Sequence, residues 1–404
     1  MARIAVFHNL PSGGAKRALH EWVKRLAGSH TLDVYTLSTA DHDYCDLRPY
    51  AAHHTVLPFE ALGLFQSPFG RLNQLQRRRD LGRLQTLYRG LAAQIDAAGY
   101  DVVFSNPCSF TFIPLLHLSL KTPAVYYLHE HFPNRVQRSI PRPYEHHSPL
   151  RDAADRLDPL IPLYYARLAN LQRRAAGRVA CLLSNSAFTS GQLREDFGLS
   201  SQVVYLGVDG QGFQPLPNIQ RGGHVLSVGE LSPRKGFDFV IESLALLPEE
   251  QRPALRLACN RQLPEERTYI EALARERGVQ LEILSNLNSA QLNLEYNQAA
   301  ALVYAPYLEP FGLVPLEAMA CAAPVVAVAE GGVPESVVDG FTGRLTSRDP
   351  QAFAAAVAEV LANPATARAW GQNGRARVLE RWTWERSTEE LERYLLDPRG
   401  GAAQ

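Results

Sequence analysis

Short apolar runs of strand type alternate with helical stretches along the whole chain. This alternation restricts the fold more tightly than any other feature, because it demands a parallel sheet flanked by helices. In the first half the strand candidates are Arg3-Phe7, Leu32-Leu37, Val102-Ser105, Ala124-Leu128, Cys181-Asn185 and Gln202-Tyr205. A second series begins at Val225-Gly229 and continues through Ala254-Ala258, Val279-Leu284, Ala301-Tyr304 and Pro324-Val328. Between the two series the stretch from Gln211 to Gly223 is rich in Gly and Pro and reads as a linker. At 404 residues the chain exceeds one ordinary core, so two α/β domains are expected.

One loop of the second series carries chemistry. After the strand Ala301-Tyr304 comes a Pro-bearing loop, then Val314-Pro-Leu-Glu-Ala-Met-Ala-Cys321 with helical character and Pro near its first turn. The loop therefore ends at a helix N-terminus, where orphaned N–H groups and the macrodipole favour an anion such as a diphosphate. Glu309 and Glu317 bracket the Phe311-Gly312-Leu313 turn. Carboxylates cannot hold a phosphate; they accept hydrogen bonds from sugar or ribose hydroxyls. Each glutamate taken alone also fits a solvated loop or capping residue.

Together, Glu309-Pro-Phe-Gly-Leu-Val-Pro-Leu-Glu317, the following Ala318-Met-Ala-Cys-Ala-Ala-Pro-Val-Val-Ala and Glu330-Gly-Gly-Val-Pro-Glu335 resemble the donor-site signature of glycosyltransferase family 4. The resemblance implies the GT-B architecture: two Rossmann-like domains facing a cleft that binds a nucleotide-sugar, with transfer that retains anomeric configuration. On that basis the N-terminal acceptor domain is expected over residues 1–207 and the donor domain over 208–382. A C-terminal helix from Thr383 would cross back to the N-domain over 383–404.

Three further motifs fit this frame. The strand ending at Gly229 leads into Glu230-Leu-Ser-Pro-Arg-Lys-Gly236, a turn in which members of the family carry an Arg and a Lys. Departure of a nucleoside diphosphate builds charge on its β-phosphate, and fixed Arg234 and Lys235 would stabilise that charge most in the transition state. Arg3-Phe7 is followed by Asn9-Leu-Pro-Ser-Gly-Gly14 and a helical run containing Leu19, Trp22, Val23 and Leu26. Gly13 and Gly14 permit close backbone approach, and the family places a Gly-Gly loop here beside the donor phosphates. The full dinucleotide fingerprint is absent, so a plain tight turn is the competing explanation. Ala124-Leu128 ends in His129-Glu130-His131. The spacing of the two histidines lacks any accompanying ligand cluster, which argues against a metal. The resemblance instead aligns His129 with a histidine that contacts the transferred sugar.

Composition excludes some partners. With 41 basic and 41 acidic residues nothing global points to nucleic acid. Cys45, Cys108, Cys181, Cys259 and Cys321 are scattered without zinc or CxxC spacing, as expected of reduced thiols in a cytoplasmic protein. No apolar run is long enough to act as a secretory signal or to span a bilayer. Within residues 59–90, Phe59-Glu-Ala-Leu-Gly-Leu-Phe65 precedes Arg71, Arg77, Arg78, Arg79, Arg83 and Arg89, with Asp80 opposed to them. This stretch reads either as a solvated helix face or as a peripheral contact with anionic lipid at the inner face of a membrane. Residues 132–175 read as an insertion without an interpretable signature.

The sequence thus predicts a retaining hexosyltransferase that uses a UDP- or GDP-linked sugar as co-substrate and needs no cofactor or metal. Arg234, Lys235, Glu309 and His129 are the expected catalytic group. Gly13, Gly14, Phe311, Gly312, Leu313 and Glu317 complete donor binding. A non-catalytic sugar-nucleotide binding protein and a GT-B phosphorylase or epimerase are the alternatives.

Overall fold

The structure is a computed structural model and describes residues 1–66, 69–130, 140–145 and 158–400. The first sheet has seven strands: β1 (Arg3–Asn9), β2 (Thr31–Leu37), β3 (His53–Leu57), β4 (Val102–Cys108), β5 (Ala124–Leu128), β6 (Cys181–Ser184) and β7 (Gln202–Val203). They lie in the order β3-β2-β1-β4-β5-β6-β7, every pairing parallel. The second sheet has six: β8 (His224–Val228), β9 (Ala254–Cys259), β10 (Leu281–Ser285), β11 (Ala301–Tyr304), β12 (Val325–Val328) and β13 (Gly343–Thr346). Their order is β10-β9-β8-β11-β12-β13, again all parallel. Both sheets reverse strand order beside their first strand, at β1/β4 and β8/β11, and ligands of such sheets bind in the crevice beyond the strand ends there.

Central strands such as β4, β5, β11 and β12 are buried along their whole length, as strands covered on both faces must be. Two strands escape a reading of the sequence. Edge strand β3 is polar and half-exposed, and β13 begins with a glycine, so neither offers an apolar run.

The halves share one core. Trp22, Val6 and Tyr127 from the first half lie in the same buried cluster as Phe311, Leu316, Trp382 and Trp384. Helix α1 (Gly14–Leu26) packs on the last helix, α12 (Trp384–Leu396), with Trp22 Nε1 donating to Ser387 Oγ at 3.0 Å. Thr383 caps α12 by accepting from the Arg386 N–H. A further tie is Glu335, whose carboxylate accepts from Ala187 N at 2.8 Å and Phe188 N at 2.9 Å, at the start of α4 (Ala187–Phe197).

Candidate active site in the cleft

The basic turn of the second half is tightly built. Pro233–Lys235 forms one 3-10 turn between β8 and α5 (Phe237–Ala245). Gly236 follows at φ 65°, and a Cβ there would stand 2.1 Å from the Ala305 carbonyl oxygen, so only glycine fits. Tyr307 N donates to Arg234 O at 2.8 Å, which fastens the turn to the loop after β11. Lys235 Nζ lies 2.7 Å from Glu309 Oε2. Burial would raise the Glu309 carboxyl, but Lys235, Arg234 and the Tyr304 hydroxyl together hold it below the ordinary carboxylate range. The Arg234 side chain is exposed and has no hydrogen-bond or ion-pair partner among the described residues.

Two helix N-termini meet across this cleft. Helix α8 (Leu313–Ala320) begins after Gly312 at φ 91° and lacks any side-chain cap. Helix α1 begins after Gly13 at φ 145° and is likewise uncapped. A Cβ on Gly14 would lie 3.9 Å from Leu313 Cδ1, so the two ends are in near contact. The first-turn N–H groups on both sides are left without the partners a cap would supply, a setting that suits an anion. The α8 end is held by Gly331, where a Cβ would collide with Glu309 O at 2.2 Å, and by Gly332 N donating to Glu309 O at 2.8 Å.

Two of the expected donor-site residues, Phe311 and Glu317, are buried. The Phe311 ring is not open to a ligand: it is 2% exposed and packs on Tyr205 and Trp382. Apolar burial wins for an aromatic ring, so the Phe311 side chain belongs to the core beneath the loop. Glu317 is buried as well, and both its oxygens are engaged. Arg17 from α1 donates to Oε1, and the Tyr296 hydroxyl donates to Oε2 at 2.8 Å. A ribose hydroxyl would have to share or displace one of these donors.

His129 follows β5 and is 5% exposed, with its ring beside Tyr127 and Trp22. Burial pushes its imidazole down to about 3, so it is neutral. Its Nε2 lies 3.0 Å from Asn106 Oδ1, which can only accept, so Nε2 carries the proton. Nδ1 of His129 and Nδ2 of Asn106 have no hydrogen-bond partner among the described residues. His131 lies outside the described residues, as do residues 132–139 and 146–157 of the 132–175 insertion and residues 67–68 of the 59–90 stretch.

Sequence reasoning missed Arg17, Tyr296, Asn106 and Glu130. The first three are recognisable only once the fold brings α1, α7 (Ser289–Gln298) and β4 to the cleft. Glu130 belongs to the His129-Glu130-His131 motif, but nothing in its spacing assigns it a role. Its side chain is open to solvent yet crowded by the cleft walls, which raise its carboxyl. Arg234 and Lys235 oppose that rise, while Glu309 and Glu230 add to it.

Two parallel α/β sheets with a cleft between their switch points, lined by paired cations, acidic residues and opposed helix ends, define a protein of the GT-B class. Residues 12–211 match the family described as Glycosyltransferase Family 4 and residues 214–377 that described as Glycosyl transferases group 1, and the chain belongs to this group. It is 28% identical over 258 residues to the α-1,3/1,6-mannosyltransferase ALG2 of Homo sapiens, covering 58% of this chain and 62% of that protein. It is 33% identical over 237 residues to the GDP-mannose-dependent α-(1-6)-phosphatidylinositol monomannoside mannosyltransferase of Mycolicibacterium smegmatis, covering 52% and 60%. The matched stretches thus span about three-fifths of these curated relatives. The fold is similar to that of sucrose-phosphate synthase from Thermosynechococcus elongatus (TM-score 0.71, 21% identity, 100% of both chains). It is also similar to HepE of Anabaena in complex with UDP and glucose (TM-score 0.71, 20% identity, 98% and 100%).

Proposed function

We propose that the chain is a retaining hexosyltransferase that takes its sugar from a UDP- or GDP-linked donor. The observation that carries this reading is the meeting of Arg234 and the Lys235–Glu309 pair with the uncapped ends of α1 and α8 in one cleft. The diphosphate would lie against Arg234, Lys235 and the α8 N-terminus. As the bond from the sugar C1 to the leaving phosphate oxygen breaks, that oxygen gains charge and the fixed cations stabilise it. The acceptor oxygen bonds to C1 on the same face and gives its proton to the departing phosphate, so the step calls for neither a metal nor a separate protein base.

Glu309 would exchange part of its contact with Lys235 for a sugar hydroxyl, and Glu317 would take the ribose. Neutral His129 offers Nδ1 as an acceptor for a hydroxyl of the transferred sugar, with Asn106 fixing its tautomer. The mannosyltransferase relatives support a hexose, and the GDP-mannose named for one and the UDP bound in HepE support a nucleotide donor.

The test is a thermal-shift screen against UDP, GDP, ADP and their sugar conjugates. A ligand at about a hundred times its Kd adds roughly 2.7 kcal/mol of stability. Stabilisation by one nucleotide identifies the donor class and directs the acceptor search. No stabilisation by any of them rejects the donor site, and stabilisation without sugar release or transfer favours a binding protein.

A second, separate reading concerns membranes. Leu64, Phe65, Leu72 and Leu75 are exposed, and Arg78 and Arg79 are exposed on the adjoining helix α2 (Asn73–Ala98). Apolar side chains beside arginines that have no carboxylate partner among the described residues suit the surface of an anionic bilayer. No helix among the described residues is long and apolar enough to cross one.

A further inference from the structure

The basic turn is supported from the second half by Tyr307 and by the close approach of Gly236 to Ala305. A third support comes from the other half of the chain. Arg142 is reached from β5 through the insertion, yet its guanidinium is buried in the donor half with a side-chain exposure of 2%. Its Nε and Nη2 form a fork onto Glu266 Oε2 and Oε1, both at 2.9 Å. Its Nη1 donates to Asp238 Oδ2 at 2.7 Å, and Nη2 also reaches Pro233 O at 3.4 Å. Tyr144 adds a 2.6 Å hydroxyl bond to Glu266 Oε2, and the guanidinium lies over the Tyr269 ring.

The partners place this cluster around the basic turn. Pro233 opens the turn that carries Arg234 and Lys235, and Asp238 stands in the first turn of α5, directly after it. Glu266 lies in the first turn of α6 (Pro264–Glu276) and is fully buried. One guanidinium thus spans both ends of the turn and ties them to a third element. A buried arginine with all three nitrogens engaged fixes geometry, because a fork onto a carboxylate specifies direction as well as distance.

We propose that Arg142 is a positioning residue for the diphosphate-binding turn, holding Pro233 and Asp238 so that Arg234 and Lys235 face the cleft only while the 140–145 segment is seated on the donor half. The proposal rests on the reading of Arg234 and Lys235 as diphosphate ligands. Through Arg142 the insertion acquires a role that its sequence does not disclose, since the half of the chain that would receive the acceptor sets the shape of the half that holds the donor.

The test uses the full chain with Arg142→Lys, which keeps the charge and loses the fork, and Asp238→Asn, which leaves the Glu266 fork intact. UDP and GDP affinities are measured by calorimetry alongside Tm, with Arg234→Ala combined with each variant. Misplacing the turn should weaken nucleoside diphosphate binding about tenfold or more. Arg234→Ala should then cost less in either variant than in the wild type, although Arg142 and Arg234 share no side-chain contact. A lowered Tm with unchanged affinity, or strictly additive effects, overturns the proposal and leaves a purely structural clasp. If Arg142→Lys does not fold, Asp238→Asn decides alone, and unchanged affinity there overturns it equally. If the wild type binds neither nucleotide, the donor reading falls and this proposal falls with it.

Discussion

Arg17 in the first turns of α1 donates to the Glu317 carboxylate on α8, so the two halves of the chain are joined by an ion pair inside the cleft itself. Glu317 is nearly inaccessible, with 3% side-chain exposure against 32% for Arg17, and depends on Arg17 and Tyr296 for compensation. Removing one partner of a buried pair leaves the other charge unsatisfied. With Tyr296 remaining and Arg17 partly solvated, Arg17→Met is expected to cost about 1–3 kcal/mol of stability. The double variant Arg17→Met/Glu317→Gln should recover part of that loss. Denaturant unfolding of the wild type, Arg17→Met, Glu317→Gln and the double variant checks this, and a double variant as unstable as the sum of the singles would rule it out.

Lys235 is the cation most committed to the candidate chemistry, since its ammonium meets Glu309 at 2.7 Å while Arg234 has no such partner among the described residues. Lys235→Ala leaves Glu309 without its counter-ion and, in the proposed mechanism, would remove a transition-state charge contact. A fall in kcat/KM on the order of a hundredfold or more is expected. Once a donor and acceptor are in hand, steady-state kinetics decide the matter, and a near-unchanged rate would exclude Lys235 from the mechanism.

The fold was legible because parallel strands buried on both faces leave continuous apolar runs, and β1, β4, β5, β11 and β12 all do so. Two of the four edge strands were not, since β3 and β13 carry polar residues and leave no apolar run. At the site, Glu309, Lys235 and the glycine turns could be read because their spacing is local. Arg17 and Arg142 could not: each finds its carboxylate across a sequence separation that only the docking of the two sheets closes. Phe311 shows the opposite limit, where a residue lies in the right loop but turns its side chain into the core.

Acid should destabilise the protein through two buried histidines. Burial pushes both His129 and His117 down to about 3 in the folded state, against an ordinary value near 6.5. The unfolded chain therefore takes up protons below about 6.5 that the folded chain refuses. Their contribution is complete above that pH and is lost as pH falls toward 3, at about 1.4 kcal/mol per pH unit for each histidine. Among the described residues the only hydrogen-bond partner of the His117 ring is Ser105 Oγ, 2.8 Å away, and His117 is not one of the candidate site residues. Tm measured from pH 7 to pH 5 should fall, and His117→Gln should reduce the slope; an equal slope in the variant would contradict the assignment.

Lys16 contributes in the opposite range. It is 1% exposed, its Nζ lies 3.2 Å from His8 Nε2, and burial pushes its ammonium down to about 8 despite the opposing pull of Cys45, Asp41 and Asp46. Between about 8 and its ordinary 10.5 the unfolded chain holds a proton that the folded chain has released, so stability rises with pH across that window. Below it the folded state carries a desolvated charge. Lys16→Met keeps the length of the side chain and removes that charge, so Tm at pH 7 should increase and the alkaline rise should disappear. A variant with lower Tm and an intact alkaline rise would show that the charge is compensated in the folded state.

The exposed arginines of α2 lead to a prediction at membranes. Leu64 at 53% and Phe65 at 42% exposure project from the segment before α2, and Arg78 and Arg79 follow within its first two turns. Arg83 is already committed to Asp80 and the Glu60 carbonyl, so it adds little free charge. Near an anionic surface each free Lys or Arg is worth about 1 kcal/mol. Arg78→Glu/Arg79→Glu should therefore weaken binding to vesicles containing phosphatidylglycerol by roughly thirtyfold or more, since each site loses an attraction and gains a repulsion. Leu64→Ser/Phe65→Ser should weaken it by a route that salt does not mimic, because apolar insertion is unscreened. Vesicle sedimentation at low and physiological salt separates the two contributions. Equal recovery of wild type on anionic and neutral vesicles would argue for nonspecific adhesion, and no recovery on either would leave α2 as a solvated face.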